Sequence, residues 1–138
     1  MSERMSLVVF SGTVDKLMAV ATLTTGASAM GMDVDLFLTF WGLEAFKKGA
    51  LTQPPRLTAE YQDYAPVMME LMRAKNVPHW LNTLRDAREI GNVRIFACSA
   101  TMELFNYTLE DLEDVVDEVT GVASFIDRAR DSKLTLFI

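Results

Sequence analysis

Val93-Arg94-Ile95-Phe96-Ala97-Cys98 runs without a break into Ser99-Ala100-Thr101-Met102-Glu103. The first six residues read as a buried strand and the next five as the first turn of a helix, so the segment is a strand-to-helix junction. Its only thiol, which is also the only cysteine in the chain, stands at the junction itself. A thiol at a strand end that faces unpaired helix N–H groups is held more easily as thiolate, the form in which sulfur is a nucleophile. A free cysteine is also among the most often buried side chains and can be an inert small hydrophobe. Position alone leaves both readings open.

The same alternation extends in both directions. Met5 to Phe10 is an apolar run ending at the small-residue turn Ser11-Gly12-Thr13, after which Val14, Leu17, Met18, Ala21 and Ser28 recur at helical spacing, with Gly31 as the stop. Val34 to Phe40 is a second strand, and Trp41-Gly42 opens a short helical piece that ends by Gly49. From Ala50 to Pro66 the sequence turns to Thr, Gln, Pro and Tyr, and Pro54-Pro55 breaks regular structure, so residues 50–66 are expected to form a flap-like loop. Pro66 suits a first helical position, Val67, Met68, Leu71 and Met72 make an apolar stripe, and Asn76-Val77-Pro78 ends it. A further helix runs from Trp80 to Gly91, where the glycine is expected to form a left-handed cap.

Downstream of the junction, Thr108-Leu109-Glu110-Asp111 has the pattern of a helix start, and Val115 to Val119 fits helix or strand. Gly121 to Arg130 is the last helix, with Val122, Phe125, Ile126 and Ala129 on one face, and Leu134 to Ile138 is a closing strand. Strands alternating with helices, and strands apolar along most of their length, indicate an α/β fold in which a mostly parallel sheet carries helices on both faces. The 138 residues form one such three-layer domain, 1–138.

Composition narrows the partners. A net charge of -6 argues against a phosphate backbone, so nucleic acid is not expected. The longest uncharged stretch, Leu17 to Met32, is too short and too rich in Thr, Ser and Gly to span a bilayer. One cysteine excludes an internal disulfide, and no signal-peptide pattern follows Met1, which together suggest a reducing, cytoplasmic setting. Half the residues are hydrophobic, which favours a homo-oligomer using apolar surface near the methionine-rich helix or the flap.

In an open parallel sheet, ligands bind beyond the carboxyl ends of the strands. That rule gathers Ser11, Gly12 and Thr13, then Thr39, Phe40, Trp41 and Gly42, then Cys98 and Ser99. Gly12 and Gly42 either leave backbone N–H groups open to an anion or persulfide, or merely permit tight turns. His79 is the only histidine and is either an acid or base for Cys98 or a surface residue without a role. One Cys and one His cannot supply zinc's usual four ligands, and no Gly-x-Gly-x-x-Gly or Walker pattern is present, so no cofactor is expected. Met68, Met69 and Met72 suit packing or a plastic contact surface better than a soft-metal site, and Glu110 to Glu118 reads as a solvated acidic face.

Two of these segments resemble a known family. Leu36-Phe37-Leu38-Thr39-Phe40-Trp41-Gly42-Leu43 is similar to the FFTFWGL signature of DsrE/DsrF-like proteins, in the subgroup sometimes labelled peroxiredoxin-like, and Ala97-Cys98 through Met102 resembles that subgroup's ACxxSM segment. Thr101 stands where the motif has serine, and no second cysteine is present. The resemblance implies five mostly parallel strands, a homo-oligomer, and a sulfur carrier or sulfurtransferase in which Cys98 holds sulfane sulfur and exchanges it with TusA-like or rhodanese-like carriers. On that reading Ser99 and the following N–H groups stabilise the anionic adduct, while Phe40 and Trp41 shield it. The alternatives are a thiol peroxidase or redox sensor oxidised at Cys98, and a non-catalytic oligomeric binding module.

Overall fold

The computed structural model describes residues 3–138. Five strands, β1 (Arg4–Val9), β2 (Asp33–Leu38), β3 (Val93–Cys98), β4 (Glu118–Thr120) and β5 (Leu134–Phe137), form one sheet in the order β4-β3-β2-β1-β5. Every pairing is parallel. The helices are α1 (Val14–Ala29), α2 (Phe40–Glu44), α3 (Ala65–Ala74), α4 (Trp80–Ile90), α5 (Ser99–Phe105) and α6 (Val122–Ala129).

Topology sorts the helices between the two faces. From β1 to β4 the chain moves steadily in one direction, so right-handed crossovers put α1 and α4 on one face, where they pack together. The step from β4 to β5 reverses direction and sends α6 to the other face. The first face is thick: Leu7, Val9, Leu36, Leu38, Ile95 and Ala97 meet Leu17, Val20, Leu81 and Leu84 in the main core. The second is thin, a small cluster of Phe37, Phe96, Cys98 and Phe125.

Val122, Phe125, Ile126 and Ala129 share one face of α6, as expected, but the thin layer leaves that face only partly covered. Phe125 is buried, but Val122 is 56% exposed and Ile126 60%. What ties α6 down is largely charge. Asp35 is 1% exposed, and its carboxylate accepts from Arg128 Nε at 2.9 Å and Nη2 at 3.1 Å, with Arg4 Nε at 3.6 Å. The Arg128 guanidinium also lies over the Phe96 ring.

Three other local expectations change. Residues 50–66 are not wholly irregular: Ala50–Thr52 and Ala59–Tyr64 are 3-10 turns on either side of the prolines. Gly91 is extended rather than left-handed, and a Cβ there would crowd the Ser28 side chain, so glycine serves the close approach of α4 to α1. Of Val115 to Val119 only Glu118 and Val119 enter a strand, β4, and the acidic run is only partly a solvated face. Asp117 takes two bonds from Arg88, at 2.8 and 2.9 Å, and one from the Ile95 N–H at 2.7 Å, fastening the segment before β4 to β3.

Burial pushes the Asp117 carboxyl up, but the Arg88 guanidinium and the Ile95 N–H outweigh it and hold it below the ordinary range. A carboxyl lowered by folding stabilises the fold above its unfolded pKa, and that stabilisation is lost as pH falls through the folded value. Asp117→Asn is therefore expected to lower the urea midpoint at pH 7 and to flatten its decline in acid. A variant with the wild-type acid limb would show that Asp117 is not part of it.

Candidate functional site

β3 delivers Cys98 to the carboxyl edge of the sheet, on the thin face, and α5 starts at the next residue. The residue is 7% exposed. Above it lies a shallow apolar groove of about 490 Å³, bounded by Val8, Phe37 and Thr39 on the sheet and by Val122, Phe125 and Ile126 on α6. The sulfur is thus buried in its own cluster yet stands on the wall of a groove open to solvent.

Four polar groups surround the sulfur. Burial pushes the thiol up, but the Thr101 N–H and hydroxyl, the Thr39 hydroxyl and the Ala100 N–H outweigh it, so Cys98 titrates below the ordinary thiol range. α5 has seven residues, so these neighbouring donors, rather than the field of a long helix, set the charge of the thiol. The two hydroxyls lie 3.0 Å apart, and the Phe40 N–H donates to Thr101 Oγ1 at 3.2 Å. Each hydroxyl has one proton, so one of the pair donates to the other and the acceptor of that bond keeps its own proton for the sulfur; the Phe40 N–H on Thr101 Oγ1 favours Thr101 in that second role. Phe40 makes this possible through an uncommon backbone: its φ of 47° turns the N–H inward at the first residue of α2.

The other expected residues fall elsewhere. Ser99 is exposed on the rim and is not among the groups bonded to the sulfur. Gly42 offers no free N–H, because it donates to the Phe10 and Thr39 carbonyls at 2.8 and 3.1 Å. A Cβ on Gly42 would overlap the Val9 carbonyl, and one on Gly12 would overlap the Trp41 carbonyl, so both glycines serve the interlock of the β1 turn with α2. Trp41 is 56% exposed and stacks on Phe105, with ring centres 5.9 Å apart. With Ser11 and Gly12 it lines a second cleft rather than the groove at Cys98. Phe40 is 41% exposed and packs on Phe10.

His79 also lies on that second cleft. Its Nδ1 accepts the Leu81 N–H at 3.1 Å, capping α4, and burial lowers its pKa. It is not a partner of Cys98. Thr101, by contrast, is a site residue that the sequence offered only as a departure from a motif; its position three after Cys98, on the same side of one helical turn, was the available signal.

Thr101→Val keeps the shape and removes the hydroxyl. Its alkylation profile against pH is expected to move toward that of a free thiol, with a several-fold slower rate at pH 7, whereas Ser99→Ala should leave the profile unchanged. Coincident profiles for wild type and Thr101→Val would show that the hydroxyl does not tune the sulfur.

No helix among the described residues is long and apolar enough to cross a membrane. The profile of a family described as DsrE/DsrF/DrsH-like matches residues 1–58 and 56–137. "Uncharacterized protein YrkE" of Bacillus subtilis (strain 168) is 29% identical over 158 residues, covering 99% of this chain and 98% of that one. "Sulfur carrier protein DsrE2" of Allochromatium vinosum is 24% identical over 157 residues, with the same 99% and 98% coverage. Among solved structures, the protein of unknown function MTH1491 from Methanobacterium thermoautotrophicum superposes with a TM-score of 0.61 at 14% identity, over 99% of this chain and all of that one. The ychN protein from E. coli does so with a TM-score of 0.56 at 17% identity over 100% of both. At such identities the two structures speak for the fold.

Proposed function

Because the chain belongs to the DsrE/DsrF/DrsH-like family, we propose that it is a sulfur carrier or sulfurtransferase which holds sulfane sulfur on Cys98 and passes it to partner thiols. The observation that carries this reading is the placing of Cys98 on the wall of an apolar groove beside the Thr39–Thr101 hydroxyl pair and the Ala100 and Thr101 N–H groups, surroundings that favour its thiolate. A relative named a sulfur carrier supports it, as does the family resemblance of the Thr39–Gly42 and Cys98–Met102 segments.

The chemistry needs no cofactor. The Cys98 thiolate attacks the outer sulfur of a donor persulfide; one S–S bond forms as another breaks, and the donor leaves as its thiolate. With thiosulfate the same attack on the sulfane sulfur expels sulfite. Discharge is the reverse step toward an acceptor thiolate, such as that of a TusA-like or rhodanese-like carrier in a reducing cytoplasm. Thr39, Thr101 and the Ala100 N–H stabilise the charge on the cysteine before attack and after discharge. Intact-mass measurement after polysulfide, thiosulfate and peroxide tests the reading. One added sulfur, released by reductant, is expected; oxygen addition alone would favour the redox-sensor reading, and no adduct the non-catalytic one.

The same reading has the protein as a homo-oligomer. Val122, Ile126 and Phe137 leave 56, 60 and 69% of their surface in water beside the Cys98 groove, apolar area that a second copy would cover. Val67 and Leu71 of the methionine-rich helix, each 58% exposed, offer a further face. Light scattering at micromolar concentration is expected to give a multiple of the chain mass, and the monomer mass would overturn this part.

A further inference from the structure

The second cleft, of about 830 Å³, lies on the other face of the sheet from Cys98, where the β1 turn, α1, α2 and the strap of residues 53–58 meet. That volume is in the range of small-molecule sites. Its charge is out of keeping with the chain, which has 19 acidic residues against 13 basic ones. Lys16, Lys47, Lys48 and Arg56 line it, with Glu44 as the one carboxylate, and Glu44 is engaged by the Tyr107 hydroxyl.

Ion pairing sharpens the contrast. Every arginine outside the cleft, and Lys133, pairs with a carboxylate. Among the described residues none of the four cleft cations forms such a pair, nor does Lys75 outside it; Lys47 Nζ lies over the Tyr107 ring, and the exposed Asp111 acts on Lys47 and Lys48 from outside the cleft. Like charges gathered in one concavity repel each other, and walls of low polarity focus their field, so the arrangement favours an anion. The cleft also holds an unsatisfied polar atom, since Thr13 Oγ1 is buried without a hydrogen-bond partner. Arg56 is held in place by its backbone, whose carbonyl accepts the Val14 N–H of α1 at 2.8 Å. Leu17, Leu57 and Trp80 supply an apolar wall.

We propose that this cleft is a binding site for an organic phosphate: a ligand whose phosphate group carries at least two negative charges, met by Lys16, Lys47, Lys48 and Arg56, and whose apolar, flat body lies against Leu17, Leu57 and Trp80. The phosphate is held by side chains, since the chain has neither Gly-x-Gly-x-x-Gly nor a Walker sequence to form a backbone cradle. The site is independent of sulfur chemistry, so Cys98→Ser is expected to bind as the wild type does.

Calorimetric titration with adenosine 5′-diphosphate, with inorganic pyrophosphate as the charge-only comparison, tests it. One saturable site per chain is expected for the nucleotide, weakened by added salt. Lys47→Gln/Lys48→Gln/Arg56→Gln is expected to lose about tenfold or more in affinity. These three residues are exposed, so the melting temperature should not move, and Lys75→Gln, outside the cleft, should bind normally. No saturable binding at millimolar nucleotide, or equal affinity in the triple variant, would overturn the site. Pyrophosphate binding as tightly as the nucleotide would overturn the assignment of an organic body.

Discussion

Cys98→Ser is expected to abolish sulfur loading completely while leaving the fold in place. The substitution replaces sulfur by a smaller hydroxyl in a pocket already furnished with donors and acceptors, the Thr39 and Thr101 hydroxyls and the Ala100 N–H, so the buried oxygen finds partners and the loss of stability stays within about 1 kcal/mol. Its chemistry, in contrast, disappears. A serine hydroxyl without an adjacent base does not ionise near neutral pH, and the one histidine caps α4 on another part of the surface. Intact mass after polysulfide treatment, followed by reductant, reads both forms side by side. Equal modification of wild type and Cys98→Ser would mean that sulfur goes elsewhere and would remove the basis of the proposed function.

The largest expected effect on stability belongs to Arg128→Ala. Asp35 has 2% of its side chain exposed, so its charge depends on the two bonds from Arg128, with Arg4 at 3.6 Å too far to replace them. Removing one partner of a buried pair typically costs about 3 kcal/mol, which for a chain of this size is a fall of roughly 10 °C in melting temperature. Asp35→Leu/Arg128→Leu removes both charges together and is expected to recover most of the loss, because no ion is then left without a partner. If Arg128→Ala melts with the wild type, the pair does not hold α6 to the sheet.

What the sequence made legible was the part of the fold governed by near neighbours. Apolar runs mark four of the five strands, and the junction at Cys98 alone places the thiol at the sheet edge. What it concealed depends on residues far apart in the chain. The Thr39–Thr101 contact joins positions 62 apart, and no periodicity within either segment announces it. Asp35 inside Val34-Asp35-Leu36-Phe37 did carry a signal, since a carboxylate in a buried strand requires a partner, but its partner is 93 residues away on α6. Gly91 and Gly42 were read for backbone freedom, whereas each is set by how closely another segment approaches, something only packing decides. The expected site was likewise divided: Thr39 and Cys98 share the groove, while Ser11, Gly12 and Trp41 face the basic cleft.

α6 fully buries one side chain, Phe125, and is further tied to the sheet by the Arg128–Asp35 pair and by Arg4 Nη1, which donates to the Arg128 carbonyl. Few apolar contacts would be lost if those eight residues lifted away, so their detachment is a sub-global opening well below the free energy of unfolding the main core. The Cys98 cluster is covered by that same helix. Reaction of Cys98 with a bulky reagent then proceeds from a minor open population, and its observed rate is the intrinsic rate multiplied by that fraction. A small donor entering through the groove bypasses this pre-equilibrium, so reagent size, as much as thiolate chemistry, determines which molecules meet the sulfur.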